Sequence, residues 1–316
     1  MSKLACIFPG QGSQTVGMGK DLAEKFSEAK KLFAEIDEIA GRSLSQLCFE
    51  GPDTELKRTV NTQPTILAMS MVAWRCYEME GGPKPAYVAG HSLGEFSALY
   101  AASAFDLEAA VKLVSKRSQL MEACPKGAMS AVIGMSAQKL EEISNEVSDT
   151  LGEPKVVIVA NFNTKEQLVI SGDPDAVTEA GIRAKAGGAK VIPLPVGGAF
   201  HSPLMKAAAD EFESLVKTIT MNDASFPVVQ NVDAKPETKG DLLKDKLSRQ
   251  MPSSVRWCET IEYMLSQGVD TFVEIGPGKA LSGMVKKIDR QATVYNVSDA
   301  QTLQETLTAL KQTASV

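Results

Sequence analysis

The chain has 316 residues, 44% hydrophobic and 23% charged, enough for a substantial core and for two subdomains. Its net charge of -6 argues against nucleic acid or an anionic membrane as the main partner, and no apolar run approaches the ~20 residues that span a bilayer. Five cysteines, Cys6, Cys48, Cys76, Cys124 and Cys258, are odd in number and contain no C-x-x-C pair, so reduced core thiols are expected rather than disulfides or a zinc site. The stretch from Met1 to Phe8 lacks the long apolar region of a signal peptide, and the expected location is the cytoplasm.

In chain order, the pattern predicts a strand from Leu4 to Phe8, an amphipathic helix from Asp21 to Ile39 and a second long helix from Thr65 to Met79. A short apolar run, Ala86 to Ala89, then enters Gly90-His91-Ser92-Leu93-Gly94-Glu95, and Phe96 to Ala102 reads as helix. Strands alternating with helices predict a parallel α/β sheet, whose ligands gather at the C-terminal ends of the strands. The loop Pro9-Gly10-Gln11-Gly12-Ser13-Gln14 leaves the first strand at such an end.

Between Pro125-Lys126-Gly127 and Pro195-Val196-Gly197-Gly198 the texture changes. Strand signals at 129–134, 156–160, 167–171 and 189–194, with helices at 138–147 and 174–186, give a β-α-β-β-α-β order in about seventy residues. This predicts an inserted ferredoxin-like small subdomain, residues 127–197, within a discontinuous large one, residues 1–126 and 198–316. Beyond it the pattern predicts a helix from Pro203 to about Ile219, a strand near 227–230, a helix across 255–267, strands at 271–275 and 293–297, and a final helix whose last residues fray.

The G-x-S-x-G stretch around Ser92 is the pattern of a nucleophile elbow, with the strand, turn and helix context that this motif needs. A serine nucleophile needs a base, and the chain has only two histidines. His91 sits beside the serine in sequence and should point away from its oxygen, which leaves His201 in Gly198-Ala199-Phe200-His201-Ser202-Pro203. No aspartate is singled out as a third member, and a backbone carbonyl can orient the imidazole instead. The oxyanion is expected on the N–H of Leu93, with a second donor from another loop, best the Gln11 loop. Arg117, on the second helix after the elbow, is either a planar fork for a substrate carboxylate or a surface residue. Lys286, Lys287 and Arg290 form one basic cluster and Lys116 with Arg117 another, each either an anion site or a solvated helix face.

On these residues, together with Phe8-Pro9-Gly10-Gln11-Gly12-Ser13-Gln14, Thr62-Gln63-Pro64, Phe200-His201-Ser202-Pro203-Leu204-Met205 and Glu274-Ile275-Gly276-Pro277-Gly278-Lys279, nearly the whole chain resembles the malonyl-CoA:acyl carrier protein transacylases. The resemblance implies an α/β-hydrolase-like large subdomain beside the ferredoxin-like one. It implies a malonyl ester on Ser92, His201 as base, an oxyanion hole of the Gln11 and Leu93 N–H groups, and Arg117 on the malonyl carboxylate. It implies further that the Gln250 carbonyl orients His201, that Phe200 matches members taking malonyl rather than methylmalonyl, and that Gln63, Met121 and Asn163 line the site. Two departures stand out: Ser118 where the family commonly has glycine, expected to shift the helix backbone slightly beside Arg117, and Thr164-Lys165-Glu166 in a turn usually Ser-Pro-Gly, expected to alter only a surface turn.

The function expected on this basis is ping-pong malonyl transfer from malonyl-CoA to the phosphopantetheine thiol of acyl carrier protein, in a freestanding monomeric enzyme with no permanently bound cofactor and no metal. The acidic carrier is expected to dock transiently near Lys286, Lys287 and Arg290. A serine thioesterase, a polyketide-pathway acyltransferase and a noncatalytic scaffold subunit are the alternatives.

Overall fold

A computed structural model describes residues 3–314. Met1 and Ser2, part of the stretch read for a signal peptide, and Ser315 and Val316, part of the end expected to fray, lie outside the described residues.

The large sheet has six strands in the order β10-β9-β1-β2-β7-β8, with β1 Leu4–Phe8, β2 Tyr87–Gly90, β7 Val228–Val229, β8 Pro236–Glu237, β9 Thr271–Ile275 and β10 Thr293–Val297. All its pairings are parallel except that of the edge pair β7 and β8. β1 and β9 are buried along their whole length because helices cover both faces, which is why they read as apolar runs rather than alternating patterns. The second sheet has four antiparallel strands in the order β4-β5-β3-β6, with β3 Ala128–Ile133, β4 Val157–Thr164, β5 Gln167–Gly172 and β6 Lys190–Pro193. With helices Ala137–Leu151 and Pro174–Ala186 between its strands, this is the ferredoxin-like arrangement, and it carries its own apolar cluster around Val132, Leu140, Ile170 and Val177.

The chain leaves and re-enters the large subdomain at one place, where the N–H of Gly127 donates to the Gly197 carbonyl at 2.9 Å. A second seam joins β4 to the segment before helix Trp257–Ser266: Val255 N–H donates to Ala160 O (2.8 Å) and Phe162 N–H to Val255 O (2.9 Å). β4 is longer than its sequence signal because register shifts at 159–161 and 162–164 interrupt the alternation that marks a strand.

Other departures from the pattern have local causes. The first amphipathic segment is two helices, Lys20–Lys25 and Ser27–Ala40, separated by an extended Phe26 (φ -118°, ψ 117°). The buried residues Leu22 and Ala29 stand seven apart across the break, so periodicity alone does not register it. The long helix begins at Thr59, not Thr65, and contains Pro64. Proline removes the donor for the carbonyl four residues earlier, and here that carbonyl, Val60 O, accepts from Arg42 Nη2 (2.7 Å) and Ser118 Oγ (3.4 Å) instead. Helices Gly240–Arg249 and Ala280–Ile288 have no counterpart in the sequence reading; the second is nine residues long with Leu281 and Val285 as its buried stripe, too short for periodicity to identify. All five cysteines are free thiols, four buried and Cys124 half-buried. No helix of the described residues is long and apolar enough to cross a membrane.

Candidate active site

β2 ends at Gly90, the chain turns through His91 and Ser92, and helix Gly94–Ala101 starts two residues later. Ser92 takes φ +52°, a left-handed conformation that a side chain with a Cβ rarely adopts. Packing leaves no alternative to glycine beside it: a Cβ on Gly94 would lie 2.0 Å from the Phe8 carbonyl oxygen. The loop after β1 presses equally close, since a Cβ on Gly10 would lie 2.5 Å from the His91 carbonyl oxygen. That contact brings Gln11 to the elbow.

His201 is the second left-handed residue of the site, at φ +58°. Its Nε2 accepts the Ser92 hydroxyl at 2.6 Å, while Nδ1 faces two carbonyl oxygens, Ser253 at 3.0 Å and Gln250 at 3.3 Å. Two acceptors at Nδ1 place the proton there and leave the Nε2 lone pair for the serine. Burial, then the charge of Arg117 and then His91, push the His201 imidazole down to about 3, so it stands neutral at physiological pH. The nearer orienting carbonyl is that of Ser253, which sequence reading did not find; a backbone acceptor leaves no trace in residue type.

Arg117 is buried on helix Leu107–Glu122, which is capped by Asp106 accepting from Ala109 N–H at 2.8 Å. Its Nη1 donates to Gln63 Oε1 (2.7 Å), and its Nη2 reaches both Ser92 Oγ (3.0 Å) and Gln250 Oε1 (3.1 Å). Phe96 lies 5.5 Å beneath the guanidinium, whose Nε is unpaired. Burial lowers its pKa to about 10, which keeps it charged, yet it forms no ion pair among the described residues. Of the two readings open in the sequence, the surface one is excluded by this burial. The same helix explains Ser118: its hydroxyl donates to Ser115 O at 2.8 Å and reaches Val60 O, so it tethers two helices.

These groups line one cavity of about 200 Å³ between the two subdomains, together with Gln11, Leu93, Met121 and Phe200. Gln63 also lines it and turns its Nε2 to Met121 Sδ at 3.1 Å. His91 faces away from the Ser92 hydroxyl, with Nε2 on Asn163 Oδ1 at 2.7 Å and its ring 5.6 Å from Trp257. Burial pushes His91 down as well, and Asn163, on the bulged part of β4, closes the cavity from the small subdomain. Gln250 stands behind the cavity wall, buried, with its side-chain Nε2 donating to the Ser92 carbonyl at 2.9 Å.

Lys286, Lys287 and Arg290 lie outside this cavity. They border a separate groove of about 530 Å³ with Lys165 and Gln167, and Lys287 Nζ donates to Gln167 Oε1 at 2.8 Å. The helix Ala280–Ile288 connects the two places, because Ala280, Leu281 and Met284 line the cavity of Ser92. Lys116 of the other basic cluster is paired with Glu211 at 2.5 Å, away from Arg117's partners. Lys165, in the turn that departs from the family pattern, is exposed and pairs with Glu262 at 3.2 Å. No cluster of three His, Cys, Asp or Glu side chains suited to a metal occurs among the described residues.

Residues 5–310 match the sequence profile of the acyl transferase domain family. The malonyl CoA-acyl carrier protein transacylase of Bacillus subtilis (strain 168) is 45% identical over 316 residues, covering 99% of this chain and 98% of that protein. The chain belongs to the malonyl CoA-acyl carrier protein transacylase family. Another member, from Escherichia coli (strain K12), is 44% identical over 91% of this chain and 93% of its own length. Among solved structures, an acyl carrier protein S-malonyltransferase from Vibrio cholerae superposes with a TM-score of 0.93 at 42% identity, over 96% of this chain and all of that one. A malonyl-transacylase solved in complex with its type II PKS acyl-carrier protein gives 0.93 at 41% identity, over 98% of this chain and all of that one. The two-subdomain α/β architecture is that of this family.

Proposed function

We propose that the chain transfers malonyl from malonyl-CoA to the phosphopantetheine thiol of acyl carrier protein through an ester on Ser92. The observation that carries this reading is the position of Ser92 Oγ, 2.6 Å from a neutral imidazole nitrogen and 3.0 Å from a buried guanidinium that has no carboxylate partner among the described residues. The first contact activates a nucleophile. The second places a positive charge beside the point of attack, which suits a short acyl group that ends in a carboxylate. A cavity of about 200 Å³ is below the ~300–1,000 Å³ of pockets for drug-sized ligands and fits a short acyl group.

His201 Nε2 takes the Ser92 proton as Oγ attacks the thioester carbonyl, and the C–S bond breaks as His201 returns the proton to the coenzyme A sulfur. In the second half the carrier thiol loses its proton to the same nitrogen, attacks the ester, and Ser92 regains its proton. Ser92 N–H is engaged with Asn231 Oδ1 at 2.7 Å, so the oxyanion falls to the N–H groups of Leu93 and Gln11. The Gln250 and Ser253 carbonyls orient His201 through Nδ1, Gln63 steadies Arg117, and Phe200, Met121 and Asn163 shape the acyl end of the cavity. Residues 127–197 act as the inserted subdomain that closes the site over the large one, residues 1–126 and 198–316.

The groove of Lys286, Lys287 and Arg290 is the carrier's docking surface in this reading, for an acidic carrier bound transiently by a monomer in the cytoplasm. The test is intact-protein mass spectrometry after mixing with malonyl-CoA, acetyl-CoA or methylmalonyl-CoA, with Ser92→Ala as control. A malonyl adduct on Ser92 that persists in buffer and is discharged by carrier thiol is expected. Rapid hydrolysis independent of carrier would make the protein a thioesterase, and no adduct at all would make it a noncatalytic subunit.

A further inference from the structure

The elbow is braced from behind by residues that the mechanism above uses only in that Asn231 occupies the Ser92 N–H. β7 pairs in parallel with β2, Val88 opposite Val228 and Ala89 opposite Val229, so their pairing ends one residue before β2 does at Gly90. There β2 peels away into the turn, and the backbone ladder stops. Asn231, two residues past β7, takes over with its side chain: Oδ1 accepts from Ser92 N–H and Nδ2 donates to Gly90 O, both at 2.7 Å. A carboxamide is the side-chain group that offers a donor and an acceptor in the arrangement of a peptide unit. Its two bonds bracket His91 and end on the N–H of Ser92, the residue that must hold φ +52°, so the turn is fixed at the bond that enters the strained residue.

Asn231 is itself held. Its backbone N–H donates to Glu95 Oε2 at 2.7 Å, and Gln230 Nε2 donates to Glu95 Oε1 at 3.2 Å. Glu95 lies three residues after Ser92 in the first turn of the elbow helix, and Glu95, Gln230 and Asn231 are all fully buried. A carboxylate in such a place is tolerated only when hydrogen-bonded. Around it stand the neutral amides of Gln230, Asn231 and Gln250 and one charged group, Arg117.

Resting on the reading of Ser92 as nucleophile, we propose that Asn231, anchored by Glu95, is the positioning residue that holds Ser92 in its strained conformation for attack. The clamp also commits Ser92 N–H, which leaves Leu93 N–H as the elbow's donor to the oxyanion.

Burial pushes the Glu95 carboxyl up to about 7, against the hydrogen bonds of Asn231, Gln230 and Gln250 and the charge of Arg117. Of the three groups, His201 at about 3, Arg117 at about 10 and Glu95, Glu95 is the one whose value falls between pH 5 and 8, while His91 on the other side of Ser92 is lowered by burial.

The test is single-turnover acylation of Ser92 by malonyl-CoA, followed by quenched intact-mass measurement against substrate concentration. Asn231→Ala is expected to lower the limiting rate by about 100-fold, the size of loss that small misplacements of a reacting group produce, with half-saturation within about twofold of wild type. A limiting rate within about threefold of wild type in folded Asn231→Ala, or a loss confined to half-saturation, overturns the proposal. Should Asn231→Ala fail to fold, Glu95→Gln decides. Wild-type acylation is expected to rise with pH through about 7 and the variant's to stay flat from pH 5.5 to 8, whereas an unchanged profile overturns the clamp. Absence of any adduct in wild type would instead overturn the assignment of Ser92, and this inference with it.

Discussion

Arg117→Ala separates charge recognition from support of the cavity. The guanidinium is buried, donates to Gln63 at 2.7 Å and to Gln250 at 3.1 Å, and has no carboxylate partner among the described residues, so the acyl carboxylate of a substrate would complete a buried pair. Removing one member of such a pair costs about 3–5 kcal/mol, because the other is left buried and uncompensated. At about 1.4 kcal/mol per tenfold, kcat/KM for malonyl-CoA should fall roughly 140- to 3,700-fold. Acetyl-CoA meets the same site without a charge and should lose less than about tenfold. The variant also strands the Gln63 and Gln250 side-chain oxygens, but that cost falls on both substrates and cancels in their ratio. The assay is competitive acylation of Ser92 by equimolar malonyl-CoA and acetyl-CoA, read as the ratio of adduct masses. Equal losses for the two would show that Arg117 shapes the cavity without reading charge, and the argument from its unpaired burial would fail.

Three further outcomes follow from the electrostatics. His201 has its pKa lowered from 6.5 to about 3 on folding, so across that window the unfolded chain binds the extra proton and stability falls as pH falls. Between pH 7 and pH 4 wild type should therefore lose about 3 kcal/mol more than His201→Ala in urea unfolding, and parallel losses would refute the assignment. Glu95 works in the opposite sense, raised from 4.5 to about 7, so its contribution is lost as pH rises through that window; Glu95→Gln should lose less stability than wild type from pH 5 to pH 7, contrary to what a salt-bridged carboxylate would do. Reversing Lys286, Lys287 and Arg290 to glutamate together should raise the apparent KM for carrier and abolish its salt dependence while leaving the acylation half-reaction unchanged. An unaltered KM would place the carrier elsewhere.

Much of the fold was legible where local chemistry marks an element. Helix Pro174–Ala186 begins and ends where the pattern placed it, since Asp173 caps the N–H groups of Asp175 and Ala176, proline takes the first turn, and Gly187 follows the last. β9 and β10 likewise match to the residue. The start of the Thr59–Met79 helix was not legible, because Pro64 reads as a stop unless the carbonyl it orphans has a partner, and that partner, Arg42, comes from another helix connection.

The site divides in the same way. From its sequence the chain determined a tight turn with a serine at its tip, one histidine free to serve it, and a planar cation on a nearby helix. These are properties of residue type and of spacing over a few positions. Tertiary structure alone decided that His201, 109 positions on, meets Ser92 at 2.6 Å, that Arg117 is buried and unpaired instead of solvated, and that Ser253 offers the nearer carbonyl to the imidazole. It also decided that Asn231, 139 positions from Ser92, continues a ladder which the elbow had broken. Turn chemistry and periodicity act within a turn or two of chain. Contacts across a hundred residues depend on strand order and on where neighbouring strands end, and in this protein the parallel pairing of β2 with β7 is what brings Asn231 to the elbow.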